Sequence, residues 1–343
     1  HTRSFHVTGV QTCALPILGL AVLLPGLAAL LAPLSTVDLA WGLRAGGEIL
    51  DGAGIPRADA WTFTVAGTPW LDQQWGAQLV LAAWWRCFGW AGLVLLRSTL
   101  IVAAFTALAL AIRLRAPGIG ARTAALVVLL AFVVSSPALA LRPQLIAVVL
   151  CCLTLALLAG RDRHDRLVLL VPLVVVGWAN VHGSFVLGPV LAGLAWLDDL
   201  RLGRRPLGRS LADALASGAA VLLTPFGPGA LAYVLALSSD RALAARITEW
   251  QPPSPAQADG ILALGSLLLV AAVALANRRR LGWTSWLTLV LFAALVLAAV
   301  RAVAWWPAVA AVTVAPVLAA RPASPFRRAP RASVANKIGR AHV

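Results

Sequence analysis

Methionine is missing from this sequence altogether, and tyrosine occurs once. Lysine also occurs once, as Lys337. Charge is scarce: 12% of residues are charged and 60% are apolar. A soluble domain carries about a quarter charged and about half apolar residues. That shortage excludes a soluble globular domain and makes the chain an integral membrane protein. Cysteine is nearly absent as well. Cys13 and Cys87 stand alone, and Cys151 and Cys152 lie inside an apolar run, where cysteine behaves as a small hydrophobe. Neither a disulfide framework nor a zinc spacing results. P-loop, GxSxG, HExxH and GxGxxG patterns are missing too, so chemistry on soluble nucleotides has no support.

The termini stand apart from the rest. Residues 7–17, VTGVQTCALPI, and 337–343, KIGRAHV, resemble translated sequencing adapter, and residues 1–6 are expected to go with them. Such segments are excluded from fold reasoning. The division expected is therefore adapter-like 1–17, a transmembrane domain over 18–320, a basic cytoplasmic tail over 321–336, and adapter-like 337–343. Without Arg3, Lys337 and Arg340, the 28 basic residues fall to 25, against 13 acidic ones. This excess is all arginine and clusters in short loops. It therefore reads as membrane topology, with no nucleic-acid partner.

Apolar runs of about crossing length fall at 18–34, 90–112, 123–141, 144–159, 167–180, 183–197, 211–237, 261–276, 283–300 and 302–319. The expected fold is an all-α polytopic transmembrane bundle of about ten spans. Pro172, Pro189, Pro225 and Pro307 are expected to kink or break helices, and residues 75–88 read as an amphipathic interfacial helix. Arginines concentrate in alternate connections: 113–122, 161–166, 201–209, 278–280 and the tail. These are expected to face the cytoplasm, with both termini inside a bacterial plasma membrane.

The connections left facing outward hold the unusual polar residues. The longest is residues 35–75, with Asp38, Arg44, Glu48, Asp51, Arg57, Asp59 and Asp72 among Trp41, Trp61, Trp70 and Trp75. A loop of this length is more often functional than a connector. Asp38 reads either as a reactive carboxylate or as the N-cap of a short helix. Asp72 reads as a second carboxylate or a surface turn. Arg142, in LRPQ, presents a guanidinium fork suited to phosphate, or it snorkels to the interface. Asn180 and His182 sit in WANVHG, Glu249 in TEWQPPSP and Arg301 in AAVRAVAWW. Ionised groups in lipid cost about 2.5–3.5 kcal/mol at the bilayer centre and usually pair or line a wet cavity. Arg44, Arg142, Asn180, His182, Glu249 and Arg301 are thus candidate substrate-binding residues. With no second histidine among these loops, the pattern gives no His-based metal site, and no cofactor is expected. The tryptophans suit either sugar rings or the membrane interface.

Several motifs carry a resemblance: DLAWGLRAGGEI from Asp38, IPRAD from Ile55, GTPWLDQQW from Gly67, RPQ from Arg142, WANVHG from Trp178, TPFG from Thr224 and EWQPPSP from Glu249. Together they resemble a sparsely characterised group of bacterial multi-spanning proteins, across essentially the whole body. Through its architecture, a long outer loop after the first span with an acidic residue at the loop's start, that group is similar to the GT-C glycosyltransferases. The resemblance implies a polyprenyl-linked sugar donor, Asp38 as general base towards an acceptor hydroxyl, and Arg142 or Arg301 neutralising the leaving phosphate. The chain departs from the group at Gly42, where histidine is expected, and at Gln73 and Gln74, where histidine and glutamate are common. The reading is a membrane glycosyltransferase working at the outer face, with membrane lipid and the donor as partners. Its rivals are a transporter or flippase of a lipid-linked saccharide and a non-enzymatic scaffold.

Overall fold

A computed structural model of the chain describes residues 14–34, 38–164, 166–204 and 206–319. The adapter-like residues 1–13 and 337–343, the start of the first loop at 35–37 and the basic tail at 321–336 lie outside the described residues. Among the described residues the fold is all-helical, apart from one antiparallel bridge between Ala58 and Pro69 in the first loop.

The helices, in order, are α1 Ala14–Leu31, α2 Leu39–Leu50, α3 Trp75–Arg115, α4 Ala121–Ser135, α5 Pro143–Ala159, α6 Val171–Ala179 and α7 Leu187–Leu202. Then come α8 Leu207–Ala220, α9 Pro228–Ser239, α10 Arg241–Arg246, α11 Ala258–Ala276, α12 Trp283–Ala298 and α13 Trp306–Ala319. Among the described residues, three helical stretches are long and apolar enough to cross a membrane: Trp75–Arg115, Ala121–Ala138 and Ala258–Ala276. Six more apolar helices are shorter: Pro16–Leu31, Pro143–Ala159, Leu167–Ala179, Pro228–Ser239, Trp283–Ala298 and Trp306–Ala319.

Proline explains much of the shortening. Pro143, Pro172 and Pro228 occupy the first or second position of their helices, where a missing N–H costs nothing. The expected span 211–237 is two helices, α8 and α9, because Pro225 and Pro228 leave the chain between them no continuous ladder. The sharpest internal bend is at a glycine. Gly89 adopts φ 62° and ψ −158°, a conformation that side chains resist, and divides α3 into residues 75–88 and 90–115.

Helix α3 is the hub, packed against α1, α2 and α5. Helix α13 is buried along nearly its whole length. The outer helices turn apolar side chains outward, as with Leu268 and Leu275 on α11 and Val290 and Leu297 on α12. Arg97 is buried inside α3, where it donates to the carbonyls of Ala29, Ala32 and Pro33. It thereby closes the C-terminus of α1, whose last carbonyls lack helical partners.

Helices α5, α7 and α12 each run between two polar ends. At one end lie Arg142, His182 and Arg301. At the other lie Arg161, Asp198 and Thr284, joined by hydrogen bonds. Seventeen residues of α5 separate the two by roughly 25 Å, at about 1.5 Å per residue.

Candidate functional site

Arg142 is placed by its neighbour. A residue before proline is held extended, and Arg142 has φ −133° and ψ 164° at the mouth of α5. Its side chain therefore leaves the helix axis rather than continuing the turn. Arg142 Nε lies 3.4 Å from Asp38 Oδ2, and its Nη1 donates to Glu249 Oε2 at 3.3 Å. The Asp38 side chain makes no capping hydrogen bond to α2. Asp38 thus holds the N-cap position of α2 through its backbone carbonyl, which accepts from Gly42 N–H at 3.1 Å, while its carboxylate faces the arginine. Arg142 Nε itself is buried and has no hydrogen-bond partner.

Glu249 and Arg301 arrive on two short 3-10 turns, Thr248–Trp250 and Val300–Ala304. Val300 N–H donates to Gln251 O at 2.9 Å and pins these turns together. The Arg301 guanidinium sits 4.4 Å from the centroid of Trp250, a cation–π contact. Burial lowers the Arg301 pKa from its ordinary value, with Glu249 opposing and Arg142 reinforcing. Arg142, Gln144, Glu249, Asp259 and Arg301 line a cleft of about 60 Å³. Asp38, Arg142, Glu249 and Arg301, spread over more than 260 positions of the sequence, thus meet on one rim.

His182 lies just behind this rim. Its ring is 6.0 Å from that of Trp305. Its Nδ1 accepts from Ser184 N–H at 3.1 Å and lies 2.8 Å from Ser184 Oγ. Burial, helped by the Arg301 charge, pushes its pKa down to about 3, so the imidazole is neutral. This histidine closes a turn. Asn180 is occupied as well: it accepts from Trp75 Nε1 at 3.0 Å and donates to Val176 O and Leu223 O, each at 2.9 Å. It ties α3, α6 and the break between α8 and α9 together.

Asp72 is not a surface turn. It is 3% exposed, and its Oδ1 accepts from Gln78 Nε2 at 2.8 Å. Burial pushes its pKa up to about 6, against the opposing hydrogen bonds from Gln74 and Gln78. Three buried acceptors here have no donor: Asp72 Oδ2, Gln73 Oε1 and Gln78 Oε1. The 180–183 turn backs this cluster, since a Cβ on Gly183 would stand 3.3 Å from Gln73 Oε1. Arg44 belongs to neither group. It pairs with Glu48 at 3.1 Å on α2 and lies over Trp61.

No known protein family, functionally characterised protein or solved structure matches this chain. Its chemistry therefore has to be argued from the cleft. No group of three or more His, Cys, Asp and Glu side chains among the described residues is arranged to hold a metal ion.

At the opposite end the arginine-rich connections meet two aspartates, Asp198 and Asp199, that were not among the candidate residues. There Asp198 bonds Arg115 at 3.1 Å, Arg161 at 3.2 Å and Arg201 at 2.9 Å, and accepts from Thr284 Oγ1 at 2.7 Å. Asp199 takes Arg161 at 2.8 Å and Arg204 at 3.3 Å. Burial would raise the Asp198 pKa, but Arg115, Arg201, Thr284 and Arg161 outweigh it and hold it well below the ordinary carboxylate value. One signal was available. The adjacent pair Asp198–Asp199 sits among three arginine-rich connections, where Asp162 also pairs with Arg204 at 2.9 Å.

Proposed function

We propose that this chain is a GT-C-like membrane glycosyltransferase that transfers a sugar from a polyprenyl-linked donor at the extracytoplasmic face of a bacterial plasma membrane. The observation that carries the reading is Arg142, whose guanidinium stands between the carboxylates of Asp38 and Glu249 at 3.4 and 3.3 Å on the rim that also holds Arg301. Two guanidinium groups, Arg142 and Arg301, line this one cleft, and the phosphate of a lipid-linked sugar is a matched acceptor for such forks. Asp38 takes the proton from the acceptor hydroxyl as the new bond to the anomeric carbon forms. The bond from that carbon to the phosphate oxygen breaks, and Arg142 and Arg301 hold the charge that develops on the phosphate. The apolar stretch between the two polar ends, roughly 25 Å along α5, approaches the thickness of a bilayer's hydrocarbon core. That supports a multi-pass bundle of about ten spans, with the Arg142 end outward and the arginine-rich end in the cytoplasm.

The test is transfer from a polyprenyl-linked donor in proteoliposomes. Asp38→Asn and Arg142→Gln are expected to abolish transfer while leaving insertion intact. Full transfer by Asp38→Asn removes Asp38 as the base. A rate that rises with pH through about 6 assigns that role to Asp72, whose carboxyl ionises there.

A second reading, transport of a lipid-linked saccharide, has one observation in its favour. Asp213 and Ser217 are buried on α8 with Asp213 Oδ1 and Ser217 Oγ unpartnered, just before the broken segment leading to α9. Polar groups beside interrupted helices are a transporter's way of holding cargo. Movement of a labelled lipid across vesicles without any sugar transfer establishes that reading instead.

A further inference from the structure

The first outer loop folds into a small hairpin whose base is set by Asp59 N–H to Thr68 O and Trp70 N–H to Arg57 O, each at 2.9 Å. Arg57 fastens it to the bundle, with its guanidinium 4.6 Å from the Phe226 ring centroid. The hairpin brings three tryptophans together. Trp61 stacks on Trp41 at 5.9 Å and 26°, and meets Trp70 edge-on at 5.1 Å and 73°. Between them lies a pocket of about 280 Å³, lined also by Thr62, Thr68 and Gln78. That is slightly below the roughly 300 Å³ where drug-sized pockets begin, so it has room for a single ring.

The polar inventory of this pocket is uneven. Asp59 Oδ1 accepts from the N–H groups of Trp61 and Thr62, and its Oδ2 from Thr62 Oγ1. Thr68 Oγ1 donates to Val65 O. Gln78 is 7% exposed, its Nε2 donates to Asp72 Oδ1, and its Oε1 is buried. The pocket therefore offers flat apolar faces beside the Asp59 carboxylate.

We infer that the Trp41–Trp61–Trp70 pocket is a saccharide subsite that holds one pyranose ring of the substrate. The ring lays its axial C–H face on the indoles, and an edge hydroxyl donates to the Asp59 carboxylate on the pocket wall. The assignment rests on the glycosyltransferase reading and specifies where that enzyme grips sugar.

Binding is read directly, independently of transfer, by saturation-transfer NMR on the full chain in lipid nanodiscs, where no glycoside detergent competes. The probes are methyl glucoside, methyl mannoside, N-acetylglucosamine and tetramethylammonium. The expected result is a saturable signal from at least one sugar, strongest at its ring C–H protons. Trp41→Ala truncates a half-exposed side chain and is expected to weaken binding about three- to tenfold, the range for one aromatic contact. Trp61→Phe provides a gentler second variant and is expected to weaken it less. Arg142→Gln is expected to leave binding unchanged. Tetramethylammonium binding in place of sugar overturns the assignment, as does sugar binding indifferent to both tryptophan variants, or no saturable signal from any sugar. Sugar binding with transfer intact in Arg142→Gln keeps the subsite and sinks the phosphate role.

Discussion

Arg97 and Asp72 show how little a single polar residue discloses in one dimension. Residues 90–112 read as an uninterrupted span, since one arginine does not lift the run out of the apolar range. Its task, closing the end of α1, depends on knowing that α1 stops beside it. Arg97→Leu leaves those carbonyls without a donor in an apolar setting, and each unmet group costs about 1–3 kcal/mol. Thermal unfolding in nanodiscs is expected to shift down, with Arg97→Lys recovering part of the loss. Asp72 is the reverse case, expected to matter if catalytic and found buried with an unmet oxygen. Its folded pKa, about 6, stands above the ordinary 3.8. The folded state thus holds the proton longer, and stability falls as pH rises from 3.8 towards 6, then levels off. A shift of about two units amounts to about 3 kcal/mol. Asp72→Asn, which keeps an acceptor for Gln78, is expected to raise the unfolding temperature above pH 6 and to flatten its pH dependence. An unchanged profile counts against the buried carboxyl.

Helices were legible to the extent that hydropathy decides them. The stretches 123–141 and 261–276 correspond closely to α4 and α11, because apolar composition alone makes these helices. Where prolines intervene, composition misleads. Pro172 and Pro307 were expected to kink or break helices and instead open them, since the ring fits the first turn better than the interior. Contact between elements was not legible at all. Gly46 of α2 lies against the Gln78 carbonyl of α3 so closely that any Cβ collides with backbone there, whereas a Cβ on Gly47 meets only the end of Arg86, at 3.5 Å. Gly46→Val is therefore expected to lever α2 outward, carrying Asp38 off Arg142, with a destabilisation of about 1–3 kcal/mol. Gly47→Ala is expected to stay within about 0.5 kcal/mol of the parent. Equal tolerance of both, judged by unfolding temperature, removes this close approach as the reason Asp38 sits where it does.

At the scale of the molecule, the separation of charge into two ends was the part the sequence conveyed best. Arg142, Glu249 and Arg301 share one end, and Arg115, Arg161, Arg201 and Arg204 share the other. What stayed hidden is that Asp198 and Asp199 knit the second set together. Asp198→Ala leaves the partly buried Arg115 and Arg201 without an anion, while Asp199 keeps Arg161 and Arg204, and is expected to destabilise by about 1–3 kcal/mol, seen as loss of folded protein on extraction. Orientation is testable with the native thiols. Cys87 is exposed and Cys151 and Cys152 are buried, so a membrane-impermeant maleimide added outside intact cells is expected to label Cys87 alone. Labelling only after the cells are opened reverses the proposed sidedness.

Helices α5, α7 and α12 are fixed at the arginine knot and carry Arg142, His182 and Arg301 near their far tips. Rods clamped at one end and loaded at the other act as levers. A bilayer thinner or thicker than the rods tilts them, and a few degrees of tilt displace the distal groups by more than the slack of a hydrogen bond. Under the proposed transfer reaction, the rate in vesicles is expected to peak sharply with acyl-chain length, making lipid composition a throttle on that reaction.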